Sequence, residues 1–261
     1  MSGTVMHKPV VIAGLGEMGS VFARGFLRAG YPVVPVVRGT SMAKQAAELP
    51  DPALVLIAVA EADLQPMLEQ VPARWLDRIV LLQNELLPAD WNQHGIEPTV
   101  ISVWFEKKKG QDVKVLIPSP AYGKHAQQLA DALGTLAIPV RVLEDQTALL
   151  FELILKNVYI ITTNIAGLRV GGTVGELWRN HRELAQDIAR EVMQLQFAMT
   201  GEIIEPGRLM DGMLEAFNGD LDHKCMGRSA PARLERALGL AEHYKLDLPT
   251  IEQVNLTKKS A

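Results

Sequence analysis

A chain of 261 residues can hold one large domain or two ordinary ones, and 48% hydrophobic residues provide for a sizeable core, which excludes global disorder. A formal net charge of -4 and a pI near 5.9 give no basic excess, so nucleic-acid binding is not indicated. The single cysteine, Cys225, excludes an internal disulfide framework and fits a reducing compartment. No apolar signal core precedes the first strand in MSGTVMHKP, and the sequence reads as cytosolic.

Pro9 to Ala13 is an apolar run that ends in Gly14-Leu15-Gly16-Glu17-Met18-Gly19, and a helical pattern with Val21, Phe22, Phe26 and Leu27 on one face follows at once. A strand before a G-x-G-x-x-G and a helix after it indicate a dinucleotide site. One glycine makes the tight turn, one lets the backbone approach a pyrophosphate, and one lets the helix pack on the strand. The next strand, Val33 to Val37, ends in Arg38 rather than in the acid that would hold a ribose 2′-hydroxyl. A guanidinium followed by Gly39, Thr40 and Ser41 suits a 2′-phosphate, so the expected cofactor is NADP(H). Pro35 lacks the N–H for a ladder bond and predicts a bulge or a local break in pairing.

Met42 to Leu49 and Ala62 to Val71 are predicted helices, with a buried strand at Leu54 to Val59 between them. A second buried strand, Arg78 to Gln83, delivers Asn84 at its carboxyl end, where open α/β sheets bind ligands. Thr99 to Phe105 and Val113 to Ile117 read as an antiparallel hairpin whose tip carries Lys107-Lys108-Lys109 as a solvated turn. A helix over Tyr122 to Leu136 and a strand at Val140 to Leu143 complete an alternation that indicates a doubly wound, mostly parallel sheet over residues 1–145.

After Asp145 the strand signal ends, and residues 146–261 read as a helical domain. Its predicted helices are Thr147–Leu168, Glu176–Met199, Pro206–Phe217, Ala230–Tyr244 and Pro249–Val254. The first of these is apolar enough for a membrane span, but Glu152, Lys156, Asn157 and Asn164 interrupt it. A buried helix of a soluble protein accounts for it better. At about 100° per residue, Lys156, Ile160, Thr163, Asn164 and Gly167 share one side, which places an amine, a hydroxyl and an amide in apolar surroundings. The six histidines show no metal-ligand spacing, so no metal is expected.

The chain resembles the ketopantoate reductases within the wider 6-phosphogluconate-dehydrogenase-like superfamily. The resemblance rests on VVIAGLGEMG, on Leu82-Gln83-Asn84, on Lys156 with Asn164 eight residues later, and on GGTVGELW from Gly171. It implies NADPH-dependent reduction of a 2-oxo acid, with 2-dehydropantoate as the leading substrate. Lys156 would be the catalytic proton donor, with Asn84, Lys156 and Asn164 at the substrate and Gly14 to Gly19, Arg38 and Asn84 at the cofactor. Reduction of another carbonyl or imine, or non-catalytic NADP(H) binding, are the alternatives. The partner would be the small 2-oxo acid, with no nucleic acid or membrane involved; a homodimer through the helical domain is compatible.

Departures from the family pattern include Glu85 where glycine usually follows the asparagine, Ala60-Glu61 where a lysine commonly follows the strand, and Ile160 in place of an asparagine. Cys225-Met226 and GRSAPARLERAL replace the family's carboxylate-binding segment. That segment of the family binds the substrate carboxylate and carries an acidic partner of the lysine; Ser229, Arg228 or Glu235 are the candidates to take over those roles, with Ser229 at the substrate.

Overall fold

The computed structural model describes residues 7–259. Residues 1–6, which carry most of the stretch read as lacking a signal core, lie outside the described residues, as do 260–261. The backbone divides into two compact units, one ending at Glu152 and the other beginning at Leu153.

The first unit is built on a seven-stranded sheet of order β2-β1-β3-β4-β5-β8-β9. In chain order its elements are β1 (Val10–Ala13), α1 (Glu17–Arg28), β2 (Val33–Val36), α2 (Met42–Glu48), β3 (Leu54–Ile57), α3 (Leu64–Leu68), β4 (Ile79–Leu81), α4 (Ala89–Asn92), β5 (Thr99–Ile101), β6 (Phe105–Glu106), β7 (Lys114–Val115), β8 (Ser119–Tyr122), α5 (Ala126–Gly134) and β9 (Val140–Val142). Strands β2, β1, β3, β4 and β5 pair in parallel, β8 runs antiparallel to β5, and β9 is parallel to β8. Strands β1, β3 and β4 consist entirely of buried aliphatic residues, as a sheet covered on both faces requires. One such face is packed by Phe22 and Phe26 of α1 with Leu129 and Leu133 of α5.

Several local expectations are corrected. Pro35 makes neither bulge nor break, because β2 pairs with β1 in unbroken register from Val33 to Val36. As the edge strand it has only one neighbour, so a missing N–H is tolerated. The helix read over residues 62–71 is a 3-10 turn (Glu61–Asp63) followed by the short α3. The predicted hairpin is confined to β6 and β7, with Phe105 opposite Val115 and Glu106 opposite Lys114; residues 99–101 belong to the main sheet instead. Ser119–Tyr122, with Pro120 inside it, is a strand that displaces the start of the next helix to Ala126.

The second unit is helical, with α6 (Gln146–Val170) running into it from the first, then α7 (Val174–Asn180), α8 (Arg182–Thr200), α9 (Pro206–Gly219), α10 (Ala230–Tyr244) and α11 (Pro249–Lys259). The amphipathic stretch 176–199 is two helices, broken where His181 leaves helical geometry (φ -138, ψ 38). Thr173 and Glu176 close the start of α7 with a reciprocal capping box. Helix α6 is long and apolar enough to cross a membrane, yet 72% of its most apolar window is buried in protein, as in a core helix. The polar residues of α6 have protein partners. Glu152 accepts from Arg141 of β9 at 2.5 Å, and Asn157 donates to Gln196 at 2.8 Å.

Candidate active site

In the first unit, the turn from β1 into α1 has the close contacts and the open space that its glycines imply. Gly14 has φ +92, and a β-carbon there would lie 2.6 Å from the Ala58 carbonyl oxygen. At Gly19 a β-carbon would meet the Gly14 carbonyl oxygen at 2.0 Å, so only glycine allows the helix to sit this close to the turn. A β-carbon on Gly16 would point into open space, where an approaching ligand needs the backbone bare. Gly16 is the N-cap of α1 and offers no side-chain cap to the first-turn N–H groups of Glu17, Met18 and Gly19. That set of donors with the helix dipole behind it fits a pyrophosphate. Leu15 is 41% exposed beside it. Past the end of β2, Arg38 is exposed and follows Val37, whose carbonyl accepts from Thr40 in a tight turn at 2.9 Å. Ser41 caps α2 by accepting from Lys44 N at 3.3 Å, so its oxygen is already engaged.

At the carboxyl ends of β3 and β4, Gln83 is buried and ties the two strands, donating to Ile57 O at 2.7 Å. Asn84 beside it is half-buried and donates through Nδ2 to Glu61 Oε1 at 3.1 Å. An ionised carboxylate only accepts, so it fixes the amide with its nitrogen toward Glu61 and its oxygen turned away. Glu85 holds φ +60, in the left-handed region that glycine favours. The chain keeps there the backbone that glycine adopts readily, at a cost of roughly 1 kcal/mol, and adds a carboxylate.

The second unit assembles its polar group around α6. Asn164 is buried, donates to Cys225 O at 3.3 Å and accepts from Arg233 Nη1 at 3.0 Å. Gly167, one turn on, makes the first of these bonds possible, since a β-carbon there would come within 2.9 Å of Cys225 and Met226. Lys156 retains partial surface exposure, and its Nζ lies 5.9 Å from the centre of the Tyr159 ring. Desolvation of its charge centre, reinforced by the positive charge of Arg233, lowers its pKa from the usual 10.5 to about 7. The Cys225 thiol is pushed the other way, up to about 11, by burial and by the Glu176 carboxylate, so it is a structural thiol rather than a nucleophile. Ile160 is half-buried on the same helix.

Ser229 is exposed at the N-cap of α10 and makes no side-chain cap bond. Residues missed by sequence reasoning are Arg233 and Glu61. Arg233 was findable: it shares the buried face of α10 with Ala230, Leu234, Ala237 and Ala241, where an arginine needs a partner. Glu61 stood out in the sequence only as a departure from the family pattern, where a lysine commonly follows the strand.

The fold is that of the ketopantoate reductases. No protein-family model and no curated protein sequence matches the chain. Among solved structures, 2-dehydropantoate 2-reductase from Methylococcus capsulatus superposes with a TM-score of 0.68 at 16% identity, covering 96% of each chain. D-mandelate dehydrogenase in complex with NADH gives 0.66 at 14% identity, over 97% of this chain and 99% of that one. The dimeric ketopantoate reductase from Staphylococcus aureus gives 0.65 at 15% identity, over 97% and 98%.

Proposed function

We propose that this chain, built on the ketopantoate reductase fold, is an NADPH-dependent reductase of a 2-oxo acid, with 2-dehydropantoate the leading substrate. The observation that carries the reading is Lys156: an amine with a pKa near 7, on the same helix as an Asn164 held by a buried arginine. Such an amine is divided between its charged and neutral forms at neutral pH, so its protonated fraction can release a proton readily, as a general acid for ketone reduction requires. The cation of Arg233 suits the carboxylate of a 2-oxo acid. The neighbouring structures support a nicotinamide cofactor, because one of them was solved with NADH. Arg38, exposed just past β2, supports the phosphorylated form.

A reduced nicotinamide, when bound, supplies the hydride to the carbonyl carbon. Lys156 donates the proton to the carbonyl oxygen, where negative charge develops, and its remaining hydrogens hold that oxygen while the charge builds. Arg233 holds the carboxylate, and Asn164 is kept in orientation by its bonds to Arg233 and to the Cys225 carbonyl. The N–H groups at the start of α1 would hold the pyrophosphate.

A second reading, reduction of a different carbonyl or an imine, is favoured by one feature. Glu61 sets a carboxylate on Asn84, which suits a substrate group that donates hydrogen bonds or carries positive charge. Steady-state NADPH oxidation with 2-dehydropantoate and a panel of 2-oxo acids and cyclic imines decides between them. Turnover of 2-dehydropantoate supports the first reading, and turnover confined to other substrates the second. Binding of NADPH without any turnover would overturn both and leave a nucleotide-binding protein.

A further inference from the structure

The lysine run at the β6–β7 hairpin reads in sequence as a solvated tip, but its first member is not. The Lys107 side chain is only 17% exposed; its Nζ donates to Lys108 O at 2.8 Å and lies 3.4 Å from Glu17 Oε2. Lys108 pairs instead along the hairpin with Glu106 at 3.0 Å. Beneath this tie, Phe105 of β6 meets Phe22 of α1 with ring centroids 6.1 Å apart, so hairpin and helix share a packed base.

Glu17 is the first residue of α1 and lies inside the glycine-rich turn. A carboxylate in the first turn stabilises a free helix, but it repels an anion bound at the same N–H groups. The chain therefore carries, at its pyrophosphate position, a negative charge that opposes the ligand, and the hairpin delivers a cation onto that charge.

We propose that Lys107 is part of the cofactor site: it neutralises Glu17 and so makes the N-terminus of α1 competent to take the cofactor's phosphates. This rests on reading Gly14 to Gly19 as the dinucleotide turn. Because both nicotinamide dinucleotides carry the pyrophosphate, Lys107 serves NADH and NADPH alike, in contrast to Arg38.

The test is fluorescence titration of the purified full-length protein with NADPH and with NADH at low salt, with the melting temperature of each variant measured alongside. Lys107→Ala is expected to weaken both dinucleotides by about 5-fold, the size of a partly desolvated charge pair. Glu17→Gln should bind at least as tightly as the wild type, and Glu17→Gln combined with Lys107→Ala should recover most of the loss. Lys107→Arg, which keeps the charge, should bind normally and guards against a folding defect. An unchanged affinity in Lys107→Ala, or an undiminished loss in the double variant, overturns the proposal while leaving the dinucleotide reading intact. A wild-type protein that binds neither dinucleotide overturns that reading and this one together.

Discussion

The proposed chemistry rests on a few side chains whose environments, rather than identities, make them informative. Lys156 was legible in the sequence because a charged residue in an apolar helix demands an explanation, and Asn164 because it falls on the same side two turns later. Arg233 was legible only as an arginine on the buried face of α10; its meeting with Asn164, 69 residues away, is encoded in no local spacing. Ser229, the candidate substrate residue of the same segment, sits exposed at a helix start. Lys156→Ala is expected to lower kcat by roughly 10²–10⁴-fold while leaving the NADPH dissociation constant nearly unchanged. Arg233→Ala should chiefly raise KM for the 2-oxo acid, and it also strips Asn164 of a buried partner; comparing the two parameters in steady-state kinetics separates binding from chemistry.

Among the elements, the glycine-rich turn was the most legible, because close contacts leave no alternative residue at Gly14 and Gly19. Two of its demands, at Gly19 and at Gly16, can be separated experimentally. Gly19→Ala places a methyl 2.0 Å from a carbonyl oxygen and should destabilise the fold by about 1–3 kcal/mol in urea unfolding. Gly16→Ala meets nothing within 4 Å and has φ -67, so its melting temperature should hold while its affinity for NADPH falls. At position 85, replacing a left-handed glutamate by glycine should stabilise the protein by up to about 1 kcal/mol, read by the same unfolding method. Less was legible where elements are short. Ser119–Tyr122 holds only four residues with a proline among them, and it becomes a strand because β5 and β9 flank it on either side. The break at His181 carries neither glycine nor proline, the usual punctuation of a helix end.

For the whole molecule, the two-part architecture followed from the disappearance of strand patterns after Asp145, but the contacts divide the chain later, inside α6, at Glu152. A pattern of hydrophobicity cannot show where one continuous helix changes neighbours. The proposed function and stability oppose each other at Lys156. Its folded pKa lies below its unfolded one, so the unfolded chain binds the extra proton between about 7 and 10.5 and stability rises with pH across that window. Lys156→Met should therefore raise the melting temperature most at and below pH 7, with the gain vanishing as pH approaches 10.5.

The most direct test of the account is the pH dependence of kcat/KM for 2-oxo acid reduction, which reports ionisations of the free enzyme. The account predicts a plateau at low pH that falls as pH rises through about 7, where Lys156 loses its proton, and no such break in Lys156→Ala. A profile that stays flat across neutral pH, or one that breaks at the same place in the variant, would contradict the assignment of Lys156 as the acid.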